Sequence, residues 1–296
     1  MRGIILAGGT GSRLRPVTQG VSKHLLPVYD KPMVYYPLSV LMLAGIRDIL
    51  VISTPGDLPL FQRLLGDGSS LGINLTYAPQ AAPRGIAEAF VIAAPFLDGE
   101  PCALVLGDNI FHGNHLSELL CTHTRLTDGC VLFAHPVADP ERYGIGEVDT
   151  AGRLIHLEEK PVTARSNLAI TGLYFYDGQV VDIARGLRPS PRGELEITDI
   201  NLHYLAAGQA RLVNLGRGFS WLDAGTYDSL MDAGQYIQTL ERRQGIRIAC
   251  LEEIALRRGY ISPDDCYRLG ERLSNSPYGQ YVMDTAHSAG TLVAAP

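Results

Sequence analysis

The chain has 296 residues, of which 46% are hydrophobic and 19% charged, and its formal net charge is −6 at pH 7. This composition is typical of a globular protein with a sizeable core, and the acidic balance argues against nucleic acid as the main ligand. No apolar stretch reaches the ~18–20 residues that span a bilayer. We therefore expect a cytoplasmic protein with no membrane partner, in which the five cysteines are free thiols.

The first part of the chain alternates short apolar runs with helical patterns. Strands are predicted at 4–7, 49–52, 74–77 and 103–106, and helices at 34–44, 58–65 and 86–94. This alternation predicts an α/β fold with a Rossmann-like, mostly parallel central sheet flanked by helices, in which the crossovers are right-handed.

After about residue 130 the pattern changes. Strands separated by turns are predicted at 130–137, 146–149, 154–158 and 169–176, and helices at 197–207, 227–243, 251–258 and 263–274. The closely spaced strands predict antiparallel additions to the sheet. We expect one large domain over residues 1–240 and a C-terminal helical extension over 241–296, with a frayed tail after about residue 284.

The loop after the first strand carries three glycines and an arginine within residues 8–13. Glycines allow close backbone approach, and consecutive N–H groups beside an arginine suit a polyphosphate. The loop is neither a P-loop nor a dinucleotide fingerprint, because it lacks the Gly-Lys-Ser/Thr of the first and the third glycine of the second. Pro16 disfavours helical geometry at Arg15, so we expect an extended loop. An ordinary glycine-rich turn remains the alternative.

Polar residues also follow other predicted strands, where ligands of open α/β sheets bind. Asp108 and Asp223 could share one Mg²⁺, because this ion takes one or two carboxylates together with phosphate oxygens and water. Each aspartate could equally cap the turn or helix that follows it. Four more residues suit phosphate or hydroxyl groups, or a solvated loop: Lys23, Glu159, Lys160 and Arg192.

Taken together, these residues resemble the sugar-phosphate nucleotidyltransferases. The similar segments are 6–18, 22–33, 106–109, 158–161, 193–201 and 221–226. The resemblance extends from residue 3 to about 283, and the combination is specific although no single segment is.

The resemblance implies an activity. The enzyme would transfer a thymidylyl group from dTTP to α-D-glucose 1-phosphate, giving dTDP-glucose and pyrophosphate with Mg²⁺ as cofactor. The sugar phosphate oxygen would attack the α-phosphate in line, so positioning and charge stabilisation would do most of the catalysis. The resemblance also implies a nucleotide half at about 1–130, a sugar-phosphate half at about 131–240, and a homotetramer with end-product inhibition.

Residue roles follow from the same resemblance. Arg13, Lys23 and Asp108 would be catalytic, and Asp108 and Asp223 would bind Mg²⁺. Gln80 would bond the thymine edge. The nucleotide site would comprise Leu6, Gly8, Gly9, Thr10, Gly11, Arg13, Lys23, Gln80, Gly85 and Asp108. The sugar phosphate site would comprise Asn109, Tyr143, Gly144, Glu159, Lys160, Ile170 and Arg192.

The segment beside Gln80 departs from the family pattern. Arg84, Ile86 and Glu88 stand where the family usually carries a leucine and a glutamine near Gly85. This departure leaves the base preference open, so that UTP or another nucleotide is an alternative to dTTP.

Two other classes of protein are alternatives. A catalytically silent regulatory subunit should have lost charged site residues, and all of them are present here. A nicotinamide oxidoreductase is disfavoured by the missing third glycine.

Overall fold

The computed structural model describes residues 1–126 and 128–293, with side chains up to residue 289. The strands in this part of the chain are β1 (Arg2–Leu6), β2 (Pro27–Val28), β3 (Lys31–Pro32), β4 (Asp48–Ser53), β5 (Asn74–Pro79), β6 (Cys102–Leu106), β7 (Asn109–Gly113), β8 (Cys130–Pro136), β9 (Gly144–Val148), β10 (Leu154–Glu159), β11 (Leu168–Tyr176), β12 (Ala210–Asn214) and β13 (Phe219–Asp223). The helices are α1 (Tyr35–Leu43), α2 (Leu58–Leu65), α3 (Glu88–Leu97), α4 (Leu116–His123), α5 (Val180–Gly186), α6 (Ile197–Ala206), α7 (Tyr227–Gln244), α8 (Leu251–Arg257), α9 (Pro263–Glu271) and α10 (Pro277–Val293).

A large central sheet organises the fold. Its strands run in the order β10-β9-β11-β6-β1-β4-β5, and β8 and β12 continue it from β11. Strands β6, β1, β4 and β5 are mutually parallel, whereas β11 is antiparallel to β6, β8 and β9. The predicted fold class, with a mostly parallel centre, antiparallel additions and C-terminal helices, is confirmed.

The apolar strands are buried on both faces. Successive residues of a strand point to opposite sides of a sheet. Ile5 and Val51 accordingly belong to the core that contains residues of α1, α2 and α8, while Ile4 and Leu50 belong to the core that contains residues of α3, α5 and α6. This two-sided burial explains why the parallel strands are continuous apolar runs.

The strand order reverses between β1 and β6. The chain moves outwards from β1 to β4 and β5, then returns through α3 to β6 on the other side of β1. A crevice forms at such a reversal, at the carboxyl ends of the two strands. The glycine loop follows β1, and Asp108 follows β6, so both lie at this crevice.

A separate antiparallel pair extends the crevice. β13 pairs with β7, and Asp223 lies opposite Asn109 in this register. Neither β7 nor β13 was predicted from the sequence. Their pairing brings the segment around Asp223 next to the end of β6.

The loop after β1 differs from the extended conformation predicted for it. Ser12–Leu14 form a turn of 3₁₀ helix, and Arg15 after it is extended, with φ −73° and ψ 140°. Pro16 restricts the backbone of the residue directly before it, Arg15. It does not restrict Ser12–Leu14, which are therefore free to form the turn.

The C-terminal helices pack against the sheet domain and each other. Helix α7 runs through the predicted boundary at residue 240. The frayed tail predicted after about residue 284 is wrong for the residues up to 293. Helix α10 continues to Val293, and Ala286 is buried with Cys266 and Val282. Residues 294–296 lie outside the described residues. No described helix has both the length and the apolarity that a membrane span requires.

Candidate active site

A cavity of about 470 Å³ opens at the crevice between β1 and β6. Sixteen of the predicted site residues line it, drawn from strands and loops throughout the sheet domain. They are Leu6, Gly8, Gly9, Arg13, Lys23, Gln80, Gly85, Asp108, Asn109, Tyr143, Gly144, Glu159, Lys160, Ile170, Arg192 and Asp223. The resemblance therefore selected residues that share one site, and their individual roles stay predictions.

Thr10 and Gly11 are not among the residues that line this cavity. Gly11 has φ +57°, a conformation that glycine adopts readily, and it begins the 3₁₀ turn. Its carbonyl accepts a hydrogen bond of 2.8 Å from Thr18 Oγ1. Gly11 thus shapes the loop, while the nucleotide contacts predicted for Thr10 and Gly11 stay predictions.

One end of the cavity is built around the Gln80 amide. Gln80 Nε2 donates to Glu88 Oε2 at 2.9 Å and to the Gly85 carbonyl at 3.4 Å. A Cβ on Gly8 would lie only 2.4 Å from Gln80 Oε1, and one on Gly85 would lie 2.3 Å from the Leu195 carbonyl oxygen. Gly85 is therefore required by close approach to backbone, whereas a side chain at Gly8 would displace the Gln80 amide; both lie where the family resemblance expects a nucleotide.

Asp108 is held by two donors at the end of β6. Lys23 Nζ forms an ion pair with its Oδ2, and Asn109 Nδ2 donates to its Oδ1 at 3.0 Å. Burial is the largest influence and opposes ionisation, but the Lys23 ammonium and the hydrogen bonds outweigh it and lower the pKa of Asp108 to about 2. Asp108 is consequently a carboxylate at neutral pH.

Asn109 lines the cavity and also connects neighbouring strands by hydrogen bonds. Its Oδ1 accepts from the Gly172 backbone N–H at 3.0 Å and from Trp221 Nε1 at 2.6 Å. With its Nδ2 on Asp108, the side chain joins the turn after β6 to β11 and β13. The contact to the sugar phosphate that the resemblance implies for Asn109 stays a prediction.

Asp223 reaches the site through the pairing of β13 with β7. The backbone N–H of Ala224 donates to the Asp108 carbonyl at 3.0 Å, which fixes the two aspartates in adjacent segments. Burial first, and then repulsion from the Asp108 carboxylate, raise the pKa of Asp223. A cation between these carboxylates would relieve that repulsion.

Arg13 lies beside the same aspartate. A Cβ on Gly225 would be 2.9 Å from Asp223 Oδ1 and 3.0 Å from Arg13 Nη2, so this glycine leaves room for both groups. Two carboxylates, Asp108 and Asp223, together with the cations of Arg13 and Lys23, thus surround one region of the cavity. Such a region suits an anion accompanied by a metal ion.

The carboxylate pair fits a hard divalent cation. No group of three or more His, Cys, Asp or Glu side chains that could hold a metal occurs in the described residues. A protein-only cage is therefore absent from that part of the chain. Two carboxylates nevertheless match the way Mg²⁺ binds at phosphate sites, because the substrate and water provide the remaining ligands.

Another part of the cavity lining carries an acid at the end of β10 and a base directly after it. Glu159 lies opposite Gly144 in the pairing of β10 with β9, and its Oε2 accepts from Thr198 Oγ1 at 2.6 Å. Lys160 has φ +46°, which is uncommon for a residue other than glycine, and its Nζ lies 3.2 Å from Glu159 Oε1. The arrangement offers carboxylate acceptors beside an ammonium group.

Arg192 also lines the cavity. Its side chain is half exposed and its Nη2 donates to both carboxylate oxygens of Glu196, at 2.9 and 3.0 Å. Glu194 lies 3.4 Å away on the same guanidinium. Arg192 is thus held at the rim, where an incoming phosphate would compete with these carboxylates.

Several lining residues were missed by the sequence analysis. Trp221, the only tryptophan, packs edge-on against Tyr143 at 5.1 Å between ring centroids. The Arg142 guanidinium lies 5.4 Å from the Tyr143 ring centroid and pairs with Asp139 at 2.6 Å. The single tryptophan beside Asp223 was an available signal, whereas nothing local distinguishes Arg142 from a surface arginine.

His24 is also a missed lining residue, and its side chain is almost fully buried. Burial, reinforced by the neighbouring Lys23 ammonium, lowers the pKa of His24 to about 3. Its ring lies against Gly107, where a Cβ would be 2.6 Å from His24 Cδ2. His24 is therefore a neutral packing residue at the base of the cavity.

Known proteins resemble this chain over most of its length. Residues 2–239 match the family described as nucleotidyl transferase. A glucose-1-phosphate thymidylyltransferase from Xanthomonas campestris pv. campestris is 55% identical over 285 residues, which is 96% of this chain and 97% of the relative. A protein of the same name from Mycolicibacterium smegmatis is 54% identical over 283 residues, which is 96% of this chain and 98% of the relative.

Solved structures have the same architecture. A candidate glucose-1-phosphate thymidylyltransferase from Bacillus anthracis, in complex with a sucrose, is 39% identical and superposes with a TM-score of 0.74 over 80% of this chain and 94% of that chain. A UDP-glucose pyrophosphorylase, complexed with UDP-glucose, has a TM-score of 0.69 at 21% identity over 80% of this chain and 98% of its own, which supports the fold alone. The resemblance drawn from the six segments is confirmed, and the chain belongs to the nucleotidyl transferase family of enzymes.

Proposed function

We propose that this chain is a glucose-1-phosphate thymidylyltransferase, which makes dTDP-glucose and pyrophosphate from dTTP and α-D-glucose 1-phosphate. The observation that carries this proposal is a single cavity in which one region combines Arg13, Lys23, Asp108 and Asp223 and the other combines Glu159, Lys160 and Arg192. The first set suits a triphosphate and a metal ion, and the second suits a sugar phosphate. Relatives of that name are 52–55% identical over about 96% of the chain.

At the nucleotide end, the chain has to hold a base and neutralise phosphate charge. The Gln80 amide would pair with the thymine edge, and Gly8 and Gly9 would leave room for the phosphates. Arg13 would stabilise the charge that develops on the α-phosphate and on the departing pyrophosphate, because its guanidinium is permanently charged. Lys23 would add a second positive charge, released from Asp108 when the substrates bind.

At the sugar end, the task is to aim a phosphate oxygen at the α-phosphate. Glu159 would accept hydrogen bonds from glucose hydroxyls, and Lys160 and Arg192 would hold the sugar phosphate. This oxygen is already an anion, so the reaction needs no general base. Catalysis then comes from bringing two anions together in line and from fixed charges around them.

Members of this family generally use a divalent metal ion. We infer that the ion is Mg²⁺ and that Asp108 and Asp223 would hold it. When bound, it would neutralise phosphate charge and act as a template for in-line attack. The remaining parts of the proposal are a cytoplasmic homotetramer and inhibition by the end product, which follow from the family resemblance.

The deciding experiment is a pyrophosphate-release screen of dTTP, UTP, dCTP and dATP against several hexose 1-phosphates. The expected result is the highest kcat/KM for dTTP with glucose 1-phosphate, dependent on added Mg²⁺ and abolished by a chelator. A higher kcat/KM for UTP would contradict the thymidylyl assignment, and the absence of pyrophosphate release with every pair would favour a silent binding subunit.

Asp223→Asn and Asp108→Asn test the metal assignment. Each should lower kcat by about 10²–10³, by analogy with the loss of one preorganised charge-stabilising group. Because asparagine is close in size, the thermal unfolding midpoint of Asp223→Asn should stay near that of the wild type. Full activity in both variants would show that the ion binds elsewhere.

A further inference from the structure

The Gln80 amide is fixed by a carboxylate. Gln80 directly follows β5 and is 6% exposed, and its Nε2 donates to Glu88 Oε2 at 2.9 Å. The Gly85 carbonyl accepts a second, longer bond from the same nitrogen at 3.4 Å. An ionised carboxylate only accepts hydrogen bonds, so the NH₂ group of the amide must face Glu88. The side chain therefore has one orientation.

The carbonyl end of the amide lies beside the glycine loop. A Cβ on Gly8 would be 2.4 Å from Gln80 Oε1, and both residues line the cavity. The hydrogen bonds that the Gln80 side chain makes within residues 1–126 and 128–289 both leave from Nε2 and none arrives at Oε1. Oε1 is thus an acceptor that the protein leaves to a ligand.

The pyrimidine bases differ at the atom that such an acceptor would meet. Thymine and uracil carry an N–H at ring position 3, whereas cytosine has a lone pair there. A carbonyl oxygen accepts a hydrogen bond from the N3–H of thymine or uracil. Opposite cytosine, the carbonyl oxygen and the ring nitrogen are both acceptors and neither is paired, which is a strong basis for discrimination between the bases.

We propose that Glu88 is a positioning residue for base selection. It holds the Gln80 amide so that Oε1 accepts from the N3–H of a dioxopyrimidine base, and it thereby disfavours cytosine. The proposal rests on the proposed function, which puts the base beside Gln80. A glutamine at position 88 could present either end of its amide, whereas glutamate can only accept.

Arg84 provides a matched control. Its Nη1 lies 3.9 Å from Glu88 Oε1, and its side chain is 69% exposed. Arg84→Gln removes this weak pair and leaves the bond between Glu88 and Gln80 in place. An exposed pair of this kind contributes little, so the variant should behave like the wild type.

The experiment measures kcat and KM for dTTP and the inhibition constant of dCTP against dTTP, with glucose 1-phosphate saturating. Glu88→Leu should raise the KM for dTTP about tenfold with little change in kcat, because a hydrogen bond to a charged group is lost. The ratio of the dCTP inhibition constant to the dTTP KM should fall by about tenfold as well. Glu88→Gln should keep the dTTP KM within about threefold and lower the ratio to a smaller extent.

Equal changes for dTTP and dCTP in Glu88→Leu would overturn the proposal, because a merely structural role affects both nucleotides alike. If Glu88→Leu does not fold, judged by its thermal unfolding, an unchanged ratio in Glu88→Gln overturns it instead. Gln80→Leu separates this failure from failure of the proposed nucleotide site. If the dTTP KM is unchanged in Gln80→Leu, the base does not bind at Gln80 and the proposed nucleotide site fails. If the dTTP KM rises in Gln80→Leu while the Glu88 variants behave like the wild type, only the role of Glu88 is rejected.

Discussion

At the residue scale, the site depends on positions where a side chain does not fit. Gly8 approaches Gln80 and Gly225 lies between Asp223 and Arg13. At each of these positions a methyl group would occupy space that polar site atoms need. Glycine therefore contributes here by its small volume as well as by its backbone freedom.

Gly8→Ala should raise the KM for dTTP about tenfold and leave the KM for glucose 1-phosphate unchanged. The new Cβ would be 2.4 Å from Gln80 Oε1, and Gln80 cannot move away without breaking its bond to Glu88. Steady-state kinetics with each substrate varied in turn measure the effect. Gly20→Ala is the matched control, because nothing lies within 4 Å of its Cβ. An unchanged dTTP KM in Gly8→Ala would mean that the base does not use Gln80.

His24 should make the folded state sensitive to acid. Its pKa is about 3 in the folded protein and about 6.5 in the unfolded chain. Between these two pH values the imidazole is protonated in the unfolded chain but neutral in the folded protein. Stability is therefore lost as the pH falls from about 6.5 towards 3. Between pH 7 and pH 5 this one group should cost about 2 kcal/mol.

The measurement compares urea unfolding of the wild type and His24→Gln at pH 7 and pH 5. Glutamine does not titrate, so the variant should lose about 2 kcal/mol less than the wild type over this interval. An identical pH dependence in both proteins would contradict a buried neutral His24.

At the scale of elements, the parallel strands were predictable and the pairing of β7 with β13 was not. The parallel strands are apolar on both faces, which leaves a clear local signal. β7 begins at Asn109, directly after the site loop, and β13 is half-buried throughout, so neither has an alternating or continuous apolar pattern. Their pairing joins segments far apart in sequence, which local patterns do not encode.

The site divides in the same way. Its residues could be named from the resemblance because each lies in a distinctive short segment. The bonds among them could not be predicted, since Glu159 meets Thr198 and Asn109 meets Trp221 only through tertiary packing. The contact of Gln80 with Glu88 depends on where α3 begins relative to β5, which sequence patterns give only approximately.

Gly113→Val tests the pairing as the element that delivers Asp223. Gly113 lies opposite Phe219, and a Cβ on it would be 2.2 Å from Phe219 Cδ1. Valine should force the strands apart, lowering stability by about 1–3 kcal/mol and kcat by about 10² because Asp223 shifts. Urea unfolding and kinetics measure the two effects. Gly186→Ala, with nothing within 4 Å of its Cβ, should change neither. If Gly113→Val loses stability but keeps full activity, the pairing of β7 with β13 is not needed to position Asp223 for catalysis.

At the scale of the whole molecule, a buried charge network ties the C-terminal helices to the sheet domain. Glu241 of α7 accepts from Lys31 Nζ at 2.9 Å, from Arg247 Nη1 at 2.8 Å and from the Ile248 N–H at 2.9 Å. Lys31 belongs to β3, and Arg247 and Ile248 precede α8. Asp30 pairs with both of these cations as well. One carboxylate therefore joins three separate parts of the chain.

Glu241→Ala should destabilise the protein by about 3–5 kcal/mol, because it leaves the almost fully buried Lys31 ammonium and the Arg247 guanidinium with Asp30 as their only carboxylate partner among the side chains that the structure describes. The network lies outside the cavity lining, so kcat and both KM values at a temperature where the variant is folded should stay close to those of the wild type. Urea unfolding gives the stability. Glu118→Ala is the control, since its pair with His115 is exposed and should contribute less than about 0.5 kcal/mol. A large loss of kcat without loss of stability would mean that the extension acts on the site directly rather than by holding the molecule together.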